Sequence, residues 1–71
     1  MERINIDSSM IYSIGYDFDN AILEIVFKSN GAIWNYFDVP EPVWYEFENS
    51  DSKGKFFLKE IKGQYSESQV G

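Results

Sequence analysis

The segment Ser52-Lys53-Gly54-Lys55 has the ingredients of an anion site. It offers backbone N–H groups at the start of a helix, two ammonium groups, and a glycine that lets a ligand approach the chain. Lys59 and Lys62 extend the basic stretch, so phosphate or nucleic acid is the ligand chemistry these six residues suggest. The preceding strand and longer glycine loop of a true phosphate loop are missing. The ordinary use of the same residues is an N-cap at Ser52, with Gly54 allowing close backbone packing. Ser8-Ser9 is the other distinctive polar piece.

Trp34 and Tyr36 raise a second chemistry. Aromatics on a strand can stack nucleobases, at about 1–3 kcal/mol per base. The competing use is to pack under helices. The carboxylates Asp17, Asp19, Glu41, Glu46, Glu48 and Asp51 raise a third. Acid–base work or a hard cation needs convergent oxygens, whereas these are spread over a turn and a helix and read as solvated charge. The chain has no cysteine and no histidine. That removes disulfides, thiolate nucleophiles, imidazole bases and zinc sites of the usual N/S kind. With no nucleophile–base pair, the expectation is a binding module and not an enzyme, with no cofactor and no metal.

Charge narrows the partner. The net charge is −6, which on average repels phosphate backbones. The distribution is uneven. Arg3 and Lys28 are the only basic residues before position 52, whereas Lys53, Lys55, Lys59 and Lys62 face only Glu60 and Glu67 after it. No apolar run approaches the ~20 residues that span a bilayer, and no signal-peptide pattern opens the chain, so a soluble, cytoplasmic protein without membrane contact is expected.

The elements that must position these groups fit one domain. The chain has 71 residues, 44% of them hydrophobic and 18% aromatic, which lets a small core form without disulfide or metal. Asn30-Gly31, between two β-branched and aromatic runs, predicts a two-residue hairpin turn. Its register would oppose Phe27 to Trp34 and Ile25 to Tyr36. Asp19-Asn20 is a second turn, opposing Tyr16 to Leu23, Ile14 to Ile25 and Tyr12 to Phe27.

Both registers put Tyr12, Ile14, Tyr16, Leu23, Ile25, Phe27, Trp34 and Tyr36 on one face, the expected core. The other face carries Ile11, Ile22, Val26, Ile33 and Phe37 among polar residues. Left uncovered, it would be a partner or homodimer surface. Pro40 and Pro42 end the strands and open a short helix carrying Val43, Trp44 and Phe47. Ser52 caps a second helix with Phe56, Phe57 and Ile61 on its apolar stripe, and Gly63 ends it. The expected fold is α+β: a three-stranded antiparallel meander followed by two short helices on one face (β-β-β-α-α), with one domain over residues 1–65 and a flexible polar tail over 66–71.

The spacing Ser8-Ser9-x-Ile11, Tyr16-Asp17, Leu23-x-Ile25-x-Phe27, Gly31-x-x-Trp34-x-Tyr36, Val39-Pro40, Val43-Trp44, Ser52-x-Gly54-x-Phe56-Phe57 and Ile61-x-x-x-Tyr65 resembles the KTSC domain family. The resemblance covers residues 8–65. Trp34 departs from the family's usual Tyr-x-Tyr pair, and Leu58 stands where asparagine is expected. The family takes its name from the C-terminus of some lysyl-tRNA synthetases and also occurs as stand-alone bacterial and phage proteins. The resemblance therefore implies a translation-linked setting, a protein or RNA partner, and no catalytic residue.

Overall fold

The structure, a computed structural model, describes residues 3–71, so the first two residues of the expected domain lie outside it. One antiparallel sheet runs in chain order through β1 (Arg3–Asn5), β2 (Ile11–Asp17), β3 (Ile22–Phe27), β4 (Ile33–Tyr36) and β5 (Glu67–Gln69). Between β4 and β5 come α1 (Glu41–Glu48) and α2 (Lys53–Phe56), the latter continuing into a π-helical turn over Phe57–Ile61. The α+β class and the antiparallel meander are as expected, but the sheet has five strands and not three. β1 and β5 are three residues each, contribute nothing to the core, and sit at the two edges. Residues 67–69, expected in a polar tail, pair with Trp34–Tyr36. Val70 and Gly71 continue the ladder through backbone bonds to Ile33.

The first hairpin keeps its expected register from Asp17↔Ile22 to Ser13↔Val26. Its loop is Phe18–Ala21, drawn in by Asp17: one carboxylate oxygen accepts from the Asp19 and Asn20 N–H groups, and the other from the Asn20 side-chain amide. The Asn20 side chain, seconded by those N–H groups, holds the Asp17 carboxyl below the ordinary carboxylate range. Ala21 closes the loop at φ 56°, a left-handed conformation that is costly for a residue with a Cβ.

The second hairpin is shifted by two residues from the expected register and closes through a longer loop, opposing Ile25 to Trp34 and Leu23 to Tyr36. The two-residue turn would need positive φ at both Asn30 and Gly31. Only Gly31 has it, at 69°. A four-residue loop forms in its place, in which Gly31 N–H bonds Phe27 O and Asn30 Oδ1 accepts from Ala32 N–H. A slip of two residues preserves parity, so the face assignment of both strands survives.

One face assignment does not. A bulge between Ile11 and Ser13 adds a residue to β2. It turns Tyr12 out to solvent and Ile11 into the core, so Ile11 leaves the expected partner surface. The core packs Ile11, Ile14, Tyr16, Leu23, Ile25 and Tyr36 of the sheet against Trp44, Phe47, Phe57 and Ile61 of the helices. On the rest of the expected partner surface Val26 is 8% exposed, and Ile22, Ile33 and Phe37 are half-buried. The same face carries an ion pair from Arg3 on β1 to Glu24 on β3. It crosses β2 at Gly15, the residue opposite both, which has no side chain to obstruct it.

Candidate functional site

The β1–β2 connection and the start of α2 meet in one groove. Its cavity of about 510 Å³ is lined on one side by Asn5 to Met10 and on the other by Asp51 to Lys55 and Leu58. Both polar segments singled out in the sequence, more than forty residues apart, therefore lie against each other.

Local geometry explains how. Ser8 Oγ accepts from the Met10 and Ile11 N–H groups at 3.2 and 3.3 Å, a side-chain-closed turn that feeds the chain into β2. Ser52 Oγ accepts from Lys55 N–H at 3.3 Å, the expected N-cap. A Cβ on Gly54 would touch Met10 at ordinary van der Waals distance, so this wall already lies close to the opposite one.

The predicted anion residues divide in two. Ser52, Lys53, Gly54 and Lys55 line the groove, whereas Lys59 and Lys62 do not. Lys53 Nζ donates to Ser50 O at 2.6 Å and is turned back toward the helix start. Asp7 and Asp51 share the lining with the two lysines, so its formal charges balance. The remaining lining is partly apolar: half-buried Ile6 and Met10, and Leu58, which is 51% exposed.

Trp34 and Tyr36 sit elsewhere. Tyr36 is buried in the core, with its ring 5.7 Å from Phe57 in a T-shaped contact, and Trp34 is half-buried against the core. Both border another cavity, of about 260 Å³, shared with Lys62 and Glu67. Burial, reinforced by the Glu67 carboxylate, pushes the Tyr36 phenol up to about 12. The folded state therefore prefers the neutral phenol. That preference is fully present below the ordinary tyrosine range near pH 10 and is lost as pH rises toward 12. The expected outcome is a phenolate absorbance step near the top of that window, with stability declining across it. Tyr36→Phe should remove the step and flatten the decline, which ultraviolet titration beside urea unfolding at each pH would measure.

The sequence reading missed a second aromatic group. Tyr16 stacks on Trp44 at 5.4 Å and 9°, Phe18 stands edge-on to Tyr16 at 4.9 Å, and Tyr45 lies 6.3 Å from Phe18. With Ile4 and Glu48 they line a cavity of about 260 Å³. An aromatic in a turn and one on a helix's outward side give no periodic signal to find them by. Among the described residues no cluster of three or more acids could hold a metal ion, and no helix is long and apolar enough to cross a membrane.

One sheet, one helical layer and a groove between a strand connection and a helix start define a small α+β domain. The chain belongs to the KTSC domain family, which matches residues 7–65. It is 38% identical over 65 residues to an uncharacterized protein of Stutzerimonas stutzeri, covering 92% of this chain and 90% of that one. It is 39% identical over 64 residues to a lysine–tRNA ligase of Nostoc sp., covering 90% of this chain but only 11% of the ligase. The crystal structure of a KTSC domain protein from Yersinia pestis superposes with a TM-score of 0.94 at 43% identity, covering 99% of this chain and 97% of that one. The two outer strands thus fall within the shared fold.

Proposed function

We propose that this domain is a binding module, without catalysis of its own, that docks a segment of a partner protein in the groove between residues 5–10 and 51–58. One observation carries the reading: the lining pairs apolar Ile6, Met10 and Leu58 with two acids and two lysines. A polyanion would meet Asp7 and Asp51 as well as the lysines, and Lys53 is already engaged by Ser50. A peptide segment of mixed character can satisfy both signs and cover Leu58. The presence of the domain within a lysine–tRNA ligase supports a translation-linked partner, an argument from kinship alone.

The test is capture from a source lysate on immobilised domain, with and without nuclease, over a salt series. The expected result is a nuclease-resistant protein retained at high salt. Its affinity should fall about tenfold for Leu58→Ser, since a fully used leucine is worth about 1.5–3 kcal/mol of burial. Retention of RNA that fails steeply with salt, and that vanishes in Lys53→Ala/Lys55→Ala, would replace this reading with a phosphate-binding one.

A further inference from the structure

The aromatic cavity beside α1 is a separate feature that the groove reading does not use. We propose that it is a binding site for a guanidinium cation, an arginine side chain presented by a partner protein. Size is the first argument. About 260 Å³ falls below the usual range of small-molecule pockets, roughly 300–1,000 Å³, and suits the head of one side chain.

The walls are the second argument. Phe18 and Tyr45, tilted 44° to each other, are the exposed rings, and they stand over a buried floor in which Tyr16 stacks on Trp44 and meets Phe18 edge-on. Aromatic faces carry negative electrostatic potential and attract organic cations held within about 6 Å. Phe18 and Tyr45 are 51% and 48% exposed and lie 6.3 Å apart, so two adjacent rings offer surface to a ligand.

Charge is the third argument, and it selects a cation over a neutral apolar group. Glu48 is the one ionisable carboxylate in the lining. An apolar occupant would strip water from it and return nothing, whereas a cation would pair with it. Glu41 and Asp17 also stand near: after burial, their charges are what raise the Tyr16 phenol. Of the two basic residues before position 52, Arg3 is closed onto Glu24 and Lys28 lies in the β3–β4 loop. Guanidinium is preferred over ammonium because it is planar, stacks on rings and sheds its hydration more readily.

The probes are N-acetyl-arginine methylamide and its neutral isostere N-acetyl-citrulline methylamide, titrated into the whole domain and followed by amide and indole NMR shifts. The arginine compound should give saturable shifts at Phe18, Tyr45, Glu48 and the Trp44 indole, with a dissociation constant of about millimolar order. Citrulline should bind at least about fivefold more weakly, and Phe18→Ala should weaken arginine binding about three- to fivefold. Glu48→Gln should weaken it too and flatten its salt dependence. Each of these side chains is partly or largely exposed, so circular dichroism of the variants should match the parent. Equal shifts from citrulline, no saturable shifts, or shifts confined to the groove would overturn the proposal. Leu58→Ser serves as the control that separates the two sites, because it should leave the arginine shifts unchanged.

Discussion

Phe47→Ala should lower the unfolding free energy by about 3–5 kcal/mol, the usual cost of emptying a fully buried aromatic position. Phe47 is 0% exposed and heads the fully buried side chains by volume. It joins the two helices, because its ring stacks on Phe56 at 5.2 Å and 17°. Its carbonyl also holds the link between them, accepting from the Ser50 hydroxyl at 2.8 Å and from the Ser50 N–H. The side chain therefore supports both walls of the helical layer, and the cavity left by alanine cannot collapse without shifting α1 against α2. A chain of this length has a total stability of roughly 4–11 kcal/mol, so the substitution removes about a quarter of it at least and can remove all of it. Urea unfolding followed by circular dichroism measures the loss. Phe47→Leu, which keeps most of the apolar volume, should cost less than half as much. A cost below about 1 kcal/mol for alanine would mean that the helical layer is not organised on this ring.

The parts of the fold legible in the sequence are those written in side-chain periodicity. Ile14, Tyr16, Leu23 and Ile25 recur at every second position of their strands and sit opposite one another as expected. Val43, Trp44, Phe47, Phe57 and Ile61 mark the buried sides of the helices. Periodicity could not show the bulge at Tyr12, because Tyr12-x-Ile14-x-Tyr16 is an equally good regular strand. Only the packed core shows that Ile11 fits and Tyr12 does not. Nor could it show β1 and β5. Arg3-Ile4-Asn5 and Glu67-Ser68-Gln69 place no residue in the core and are held largely by backbone hydrogen bonds, which any residue but proline supplies. The loop after Phe27 was misjudged because Asn-Gly satisfies two turn types. The choice between them rests in part on Asn30 bonding Ala32 N–H, a detail composition does not carry.

The candidate site follows the same division. Each of its polar pieces, Ser8-Ser9 and Ser52 to Lys55, stood out locally, and each serine closes its own turn or cap. Their meeting is a property of the tertiary fold and has no signature in either segment. The charge balance of the groove depends on that meeting, since Asp7 comes from one wall and Lys55 from the other. A reading confined to the helix start meets Lys53 and Lys55 without Asp7, which is why it raises an anion as the alternative to a simple N-cap.

Val26→Glu is expected to unfold the domain rather than to detach a partner. On an uncovered face the substitution would leave stability intact and convert a dimer to a monomer. Val26 is 8% exposed, however, and lies on the face carrying Glu24, whose carboxylate already closes the ion pair with Arg3. Its cross-strand neighbours, Ser13 and Ile33, bring no charge. The introduced carboxylate would lose water, meet a like charge two residues along the same strand, and find the nearest guanidinium taken. A penalty of about 3 kcal/mol or more follows, added to the loss of valine packing. Burial would raise the folded-state pKa of that carboxyl above its unfolded value, so the folded state would bind its proton more tightly. The penalty should therefore shrink as pH falls into the carboxylate range and be largest at neutral pH. Val26→Gln, of the same length but never charged, should show the packing loss without this pH dependence. Urea midpoints of the two variants across pH, beside sedimentation of the parent and of Val26→Glu, separate the outcomes. A Val26→Glu protein that is fully folded at neutral pH and smaller in sedimentation than the parent would restore the face as an interface between copies. Unfolding rescued by acid would establish that Val26 serves the stability of the sheet.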